Sequence, residues 1–356
     1  MRWLAGLVVV LAAIAGALYG VGYFLLSNTL EVTRQTTINR PRAAIFAQVN
    51  DLRIVKEWSP FYARDPGAEY TFSSDTPGQD QSMRWSGADR QVGKGELTIV
   101  RSTPPHGVET VLRIGGRVSL NADIQLSNPT NDSHVTAVSW RVRAGCSEGA
   151  VNIPCRYMNL VLQRAIERDL DIGLARLKTM SEQLLDVDFE GLTPEFETLA
   201  PQSFLYSPVS ISRGRINNPA DFEREVIRAT EQGRLEAEEA LIQNALQRAG
   251  PLLRVTTQFN DERVAYRIGY PFIGPAPLAL TGEEVGETPS GRVMRVRHDG
   301  PRSELRHTYA RAYAYLQAHH VQLRGEGFPW EVVLSDPADP TAADAHVRIE
   351  IYYPIQ

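Results

Sequence analysis

Leu4 to Leu26 reads LAGLVVVLAAIAGALYGVGYFLL, 23 residues without a charge. As an α-helix this run spans roughly 34 Å, enough to cross the hydrocarbon core of a bilayer. A helix buried in a soluble core keeps a polar stripe at a 3.6-residue period, and this one has none. Gly6, Gly16, Gly20 and Gly22 are costly in a soluble helix but common in membrane helices. Trp3 at one end and Tyr19 and Tyr23 near the other suit the two interfaces. A cleaved secretory signal is the rival reading. Against it stand an apolar run longer than the usual stretch of about 7–15 residues, a single basic residue before it, Arg2, and no clear A-x-A site after it. The run predicts a retained anchor over residues 1–28 that meets the membrane through residues 4–26.

Orientation follows less directly. Arg2 precedes the span, whereas Arg34, Arg40 and Arg42 follow it, so a literal count of basic residues puts the body inside. Long domains translocate largely regardless of such charges, and a very short N-terminal tail is typical of a signal anchor. The expectation is a single-pass envelope protein of bacterial type with its body on the extracytoplasmic side. Cys146 and Cys155 are the two cysteines. In an oxidising compartment they form a disulfide, and otherwise they are two unpaired thiols at a loop edge.

Behind the anchor the chain has ordinary globular character. It has 356 residues, of which 43% are hydrophobic and 22% charged, a length that suggests two domains. With 37 basic against 42 acidic residues and no basic stripe, it lacks the footprint of a nucleic-acid binder. The histidines are scattered, without H-E-x-x-H or Cys/His metal spacing, and no G-x-S-x-G elbow or P-loop occurs. No metal and no cofactor is expected.

Periodicity divides the body into two α+β segments joined by an acidic linker. In residues 29–186, alternation predicts strands over Leu30 to Ile38, MRWSG, KGELTIVRS, ETVLRI, SLNADIQLS and HVTAVSWRV. A short helix, PRAAIFAQVNDL, follows the first strand, and a long one from Cys155 to Leu185 closes the segment over the sheet. Gly93-Lys94-Gly95 reads as a hairpin bend. Residues 187–200 read as the linker, within the acidic stretch DVDFEGLTPEFETLAP that holds a glycine and the prolines Pro194 and Pro201. In residues 201–356 a strand (Phe204 to Ser212), a helix (Pro219 to Arg248) and two strands (Leu252 to Phe259, Arg263 to Tyr270) come first. The order then repeats as Arg292 to His298, Ser303 to His320, Trp330 to Leu334 and His346 to Ile355. Two strand–helix–strand–strand units suggest pseudo-symmetric halves of one sheet.

Residues 29–186 resemble the START-like superfamily, also called helix-grip, SRPBCC or polyketide-cyclase-like. The resemblance rests on Pro41-Arg42-Ala43-x-Ile45-Phe46, Trp58-Ser59-Pro60-Phe61, Asp65-Pro66, Trp85-Ser86-Gly87 with Val92-Gly93-Lys94-Gly95, and two stretches of the closing helix, Arg156-Tyr157-Met158-Asn159 and Gly173-Leu174-Ala175-x-Leu177-Lys178. It implies a curved sheet wrapped around a long helix with an apolar cavity inside. Residues 201–356 resemble the GyrI-like effector-binding domain found on MerR-type and AraC-type multidrug regulators. Here the residues are His298-Asp299-Gly300-Pro301, Pro329-Trp330-Glu331, Asp336-Pro337 and Glu350-Ile351-Tyr352-Tyr353-Pro354-Ile355. That family binds bulky, often cationic aromatic molecules in a cleft between its repeats. Arg302 departs from it, since an aromatic residue often follows the Gly-Pro.

The candidate binding residues are accordingly Trp58, Trp85 and Tyr157 in the first segment and Glu331, Glu350 and Tyr352 in the second. Alternation puts Trp330, Val332 and Leu334 on one face, expected against the helices, and Glu331 on the other. It also separates Val347, Ile349, Ile351 and Tyr353 from Arg348, Glu350 and Tyr352. Glu331, Glu350 and Tyr352 are therefore expected to share a cleft, where carboxylates beside aromatic rings form a cation receptor. The expected function is capture or sensing of hydrophobic or amphipathic small molecules at the membrane. The alternative is a hydrolase or cyclase that uses Glu331 with Tyr352 for proton transfer.

The anchor reading has a direct test. Carbonate extraction should leave the full-length chain in the membrane pellet, and N-terminal sequencing should find it uncut. A soluble form that begins after residue 27 would refute it.

Overall fold

The structure is a computed structural model that describes residues 2–116, 118–129, 132–146, 152–215, 218–277, 284–335 and 345–356. The Asp336-Pro337 motif lies outside the described residues. The chain forms two compact units, Met1–Glu190 and Gly191–Gln356.

The first unit begins with helix α1 (Arg2–Phe24), whose described apolar side chains are nearly all exposed. Strand β1 (Thr29–Ile38) follows. Three short helices come next, α2 (Arg42–Asn50), α3 (Leu52–Trp58) and α4 (Pro60–Arg64). Then six strands run as a meander: β2 (Glu69–Phe72), β3 (Ser82–Ser86), β4 (Lys94–Thr103), β5 (Gly107–Ile114), β6 (Val118–Ser127) and β7 (Thr136–Gly145). The order β1-β7-β6-β5-β4-β3-β2 makes a seven-stranded antiparallel sheet in which the first strand pairs with the last. Helix α5 (Ile153–Ser181) ends the unit. Cys146 and Cys155 are joined by a disulfide, which ties the end of β7 to the start of α5.

Helix α5 behaves differently along its length. Its C-terminal half inserts Leu174 and Leu177 into a solid core with Ile38, Ile45, Val49 and Trp58. At Gly173 a Cβ would meet Trp140 Cζ3 at 2.6 Å, so only glycine lets the helix approach the sheet this closely. The N-terminal half lines a cavity instead.

Helices α3 and α4 escaped the sequence reading because each is a turn or two long. Asp51 and Ser59 start them as N-caps, accepting from the amides of Arg53 and Phe61. Asp51 is buried and also accepts from the Arg53 guanidinium (2.6–3.1 Å) and Gln81 Nε2 (3.2 Å). Burial by itself raises its pKa, but these hydrogen bonds outweigh it and hold the carboxyl below its ordinary value.

Among the described residues the second unit is one nine-stranded antiparallel sheet with two α-helices. Its strands are β8 (Glu195–Leu199), β9 (Ser203–Ser212), β10 (Gln247–Arg248), β11 (Leu252–Phe259), β12 (Arg263–Ile273), β13 (Glu284–Glu287), β14 (Gly291–Pro301), β15 (Trp330–Val333) and β16 (His346–Pro354). Helix α6 (Pro219–Gln243) follows β9 and helix α7 (Leu305–Ala318) follows β14. Strand order is β13-β9-β12-β11-β15-β16-β14-β8, with β10 beside β12. The central six strands read the same from either side once β9-α6-β11-β12 is matched to β14-α7-β15-β16, with the seam between β11 and β15. Two expectations change here. Glu195–Leu199, assigned to the linker, is strand β8, paired with β14. Helix α6 stops at Gln243, five residues short of Arg248, where Ala245 takes a positive φ and the chain turns into β10.

Stability of the first unit should show the Asp51 network. A carboxyl whose folded pKa is depressed stabilises above its unfolded value, near 4, and loses that contribution as pH falls through the folded value. Asp51→Asn should cost about 1–3 kcal/mol at neutral pH and less at pH 3. Urea unfolding at the two pH values measures both.

Candidate functional site

The first unit holds a cavity of about 310 Å³ between the sheet and the N-terminal half of α5. Trp58, Trp85 and Trp140 line it, with Met83, Leu112 and Ile124 from the strands and Leu162, Ile166 and Leu170 from α5. The sheet side follows from alternation, since Met83 and Trp85 sit two apart on β3 and point inward. The indole nitrogens do not face the cavity as loose donors. Trp58 Nε1 donates to Gln48 O (3.0 Å) and Trp85 Nε1 to Val92 O (3.2 Å). Trp85 stacks on Phe61 at 4.9 Å, and Trp58 meets Trp140 edge-on at 5.4 Å. Gly95, opposite Trp85 in the β3–β4 pairing, leaves room for that indole, because a Cβ there would lie 2.2 Å from the ring. Gly93, at a φ of +54°, makes the bend between the strands. Asp169 contributes a carboxylate to the lining, paired with Arg64.

Tyr157 is elsewhere. Its hydroxyl donates to Leu18 O at 2.7 Å, and its ring lies against Gly22, so it joins α5 to α1. Its neighbour Arg156 donates through Nη1 to the carbonyls of Gly22, Tyr23 and Leu26 at 2.8–3.2 Å. A guanidinium at these unpaired C-terminal carbonyls caps α1. Tyr157 is thus a contact between helices and does not line the cavity.

In the second unit, helices α6 and α7 cover the sheet face that carries Leu252, Ile268, Val347 and Ile349, and between them lies an open cleft of about 720 Å³. Glu331 is at its floor, 3% exposed. Arg254 stands directly opposite in the β11–β15 pairing and donates to Glu331 Oε1 at 2.5 Å. Tyr309 of α7 donates to the same oxygen at 2.5 Å. Burial and the Glu331 carboxylate push the Tyr309 phenol well above its ordinary range. Tyr266 stands under the Arg254 guanidinium, with its hydroxyl 2.7 Å from Thr230.

This geometry corrects the expected cleft. Trp330 pairs with Tyr352, Glu331 with Ile351, and Val332 with Glu350. Directly paired residues share a face, so Glu331 is on the helix-covered face, and Glu350 and Tyr352 are on the opposite one with Trp330. Trp330 stacks on Tyr352 at 5.4 Å, away from the helices. Glu350 accepts from Arg295 (2.9 Å), Arg297 (3.1 Å) and the Tyr352 hydroxyl (2.8 Å). Glu331 and Tyr352 therefore cannot meet one substrate, and the proposed proton-transfer pair is lost. The expected cation receptor is altered as well, because Arg254 already neutralises Glu331 and two arginines neutralise Glu350.

Sequence reasoning missed Arg254 and Tyr309. Tyr309 was within reach, since it extends an inward stripe of α7 with Leu305, Ala312 and Leu316. Arg254 becomes visible only when β11 is known to pair with β15. His298, in the His298-Asp299-Gly300-Pro301 element, is buried between Thr308 Oγ1 (2.8 Å) and Pro301 O (3.2 Å), where it fixes the turn into α7.

No protein-family model matches the chain, and no curated protein matches it. Similar solved structures include the C-terminal domain of EcmrR, at 10% identity over 47% of this chain and 98% of that one, with a TM-score of 0.35. An uncharacterized protein of Rhizobium leguminosarum is 11% identical over 44% of this chain and 95% of its own, with a TM-score of 0.32. Ara h 8.0201 is 10% identical over 44% and 99%, with a TM-score of 0.31.

The Arg254–Glu331 pair should matter for stability. Glu331→Gln leaves Arg254 beside a neutral partner in a mostly buried position, and removing one member of a buried pair costs about 3–5 kcal/mol. Arg254 keeps 25% of its side chain exposed, so about 2–4 kcal/mol is expected in denaturant unfolding of the second unit. A loss below about 1 kcal/mol would mean that the pair is solvated.

Proposed function

We propose that this protein is a membrane-anchored receptor for hydrophobic or amphipathic small molecules, with a START-like first unit and a GyrI-like second unit. The observation that carries the reading is the apolar cavity of the first unit. A fully packed core leaves few voids larger than a water molecule. Here about 310 Å³ stays open within an apolar lining, at the lower end of the range of about 300–1,000 Å³ for ligand pockets. Its rim offers one charged pair, Arg64 with Asp169, so the ligand is held by burial of apolar surface and oriented by few polar contacts. The second unit adds its cleft, and its palindromic strand order supports the GyrI-like assignment.

The anchor is α1, and the body lies on the extracytoplasmic side. The disulfide between Cys146 and Cys155 supports that side, because such bonds persist in oxidising compartments.

Filling the cavity tests the reading. Ala165 lines it from α5, and Ala165→Phe should occupy much of the space. Titration of the full-length protein in nanodiscs with neutral 2-naphthalenemethanol should show affinity at the first unit falling at least tenfold, a loss of about 1.4 kcal/mol or more. The melting temperature should stay equal or rise. Unchanged affinity would refute the cavity as the binding site.

A further inference from the structure

The cleft of the second unit carries an arginine whose side chain makes no hydrogen bond or ion pair among the described residues. Arg302 follows the His298-Asp299-Gly300-Pro301 turn and opens the 3₁₀ turn before α7. Its amide donates to Ala345 O at 3.0 Å, which fixes the backbone there. Its side chain lines the cleft with Arg254, Tyr309 and Glu331. Among the described residues it forms no ion pair, and its Nε is buried without a hydrogen-bond partner. A buried donor on a charged group costs free energy until an acceptor reaches it.

The carboxylates around the cleft do not supply that acceptor. Glu331 is held by Arg254 and Tyr309. Glu231 is held by Arg234. Glu223 is exposed at the rim and makes no hydrogen bond to Arg302 among the described residues. On the cationic side, Arg306 also lines the cleft and is exposed. With Glu331 cancelled by Arg254 and Glu231 by Arg234, Glu223 is the carboxylate left facing Arg302 and Arg306 among the described residues of the lining. The walls between these groups are apolar, formed by Phe222, Val226, Leu252, Ile268, Leu305 and Val333.

We propose that this cleft binds amphipathic anions, an apolar or aromatic body against the α6 and α7 walls and a carboxylate, sulfonate or phosphate head on the Arg302 guanidinium. The guanidinium fork matches the paired oxygens of such a head group. The Arg254–Glu331 pair acts as a neutral floor that keeps the buried carboxylate of this cleft from repelling the anion. Burial and the like charge of Arg254 pull the Arg302 guanidinium below its ordinary range, a strain that a bound anion relieves. The proposal rests on the small-molecule reading of the second unit and not on the cavity of the first.

Three probes that share one ring system and differ in charge decide it: 2-naphthoate, 2-naphthalenemethanol and 2-naphthylmethylammonium. Each is titrated calorimetrically into full-length protein in zwitterionic nanodiscs, in the Ala165→Phe background that closes the first cavity. Naphthoate should bind most tightly. Arg302→Gln should weaken naphthoate by about 10- to 100-fold and the alcohol by less than about twofold. Arg302→Lys should recover part of the naphthoate affinity, and Arg302→Glu should turn the preference to the ammonium. Melting temperatures of all three variants confirm folding. Equal affinity for the three probes, or naphthoate binding indifferent to Arg302, would overturn the anion assignment while leaving the cleft a binding site. Failure of all three to bind would overturn the small-molecule reading of the second unit together with the proposal.

Discussion

An extended backbone sends successive side chains to opposite faces, and antiparallel pairing holds neighbouring strands in one register. Both units inherit their pockets from that rule. In the first, inward positions of the meander bring Met83, Trp85, Ile124 and Trp140 to one surface, which α5 then covers. In the second, the seam between β11 and β15 sets Arg254 opposite Glu331 on the helix face. A one-residue slip at that seam would bury a guanidinium and a carboxylate without each other, at several kcal/mol apiece. The ion pair thus selects the register that joins the two halves, and the hydroxyl of Tyr309 extends the same pairing to α7.

The long elements were legible in the sequence because their periods are unambiguous. Strands such as Thr29–Ile38 and His346–Pro354 and the helix Ile153–Ser181 fall within a few residues of their expected bounds. Most shorter elements, among them α3, α4, β2, β8 and β13, leave too few positions to establish a period, although β3 and β15 were legible from their alternation. What the sequence withheld was which face of β15 the helices cover. Trp330 and Val332 make one side of that strand apolar, and Glu331 with Val333 makes the other mixed, so hydrophobicity pointed to the wrong side. The larger aromatic surface suggested the core side, whereas Trp330 finds its partner in the ring of Tyr352 on the uncovered face. Trp58 and Trp85 were legible because one neighbourhood buries both. Tyr157 was not, since its partner is a backbone carbonyl on a helix more than a hundred residues earlier in the chain.

Buried polar groups sort the two pockets. The cavity of the first unit ties the indole donors of Trp58 and Trp85 to backbone carbonyls, so its wall offers a ligand mostly carbon. The cleft of the second unit sets arginines and glutamates among apolar wall residues. One chain therefore presents a nearly neutral pocket and a charged one, built from similar antiparallel sheets by the choice of what lies at a handful of inward positions.

Gly173 has a mechanical meaning. The helix touches the sheet most closely there, against Trp140 and Pro60, and is packed solid on its C-terminal side. A rigid helix held at one point is a lever, and Gly173 is its fulcrum. The far arm runs to Arg156, which grips the last carbonyls of α1 at a distance of roughly 26 Å along the axis. A rotation of roughly 5° about the fulcrum moves that end by about 2 Å, and it lifts or lowers the side chains that roof the cavity.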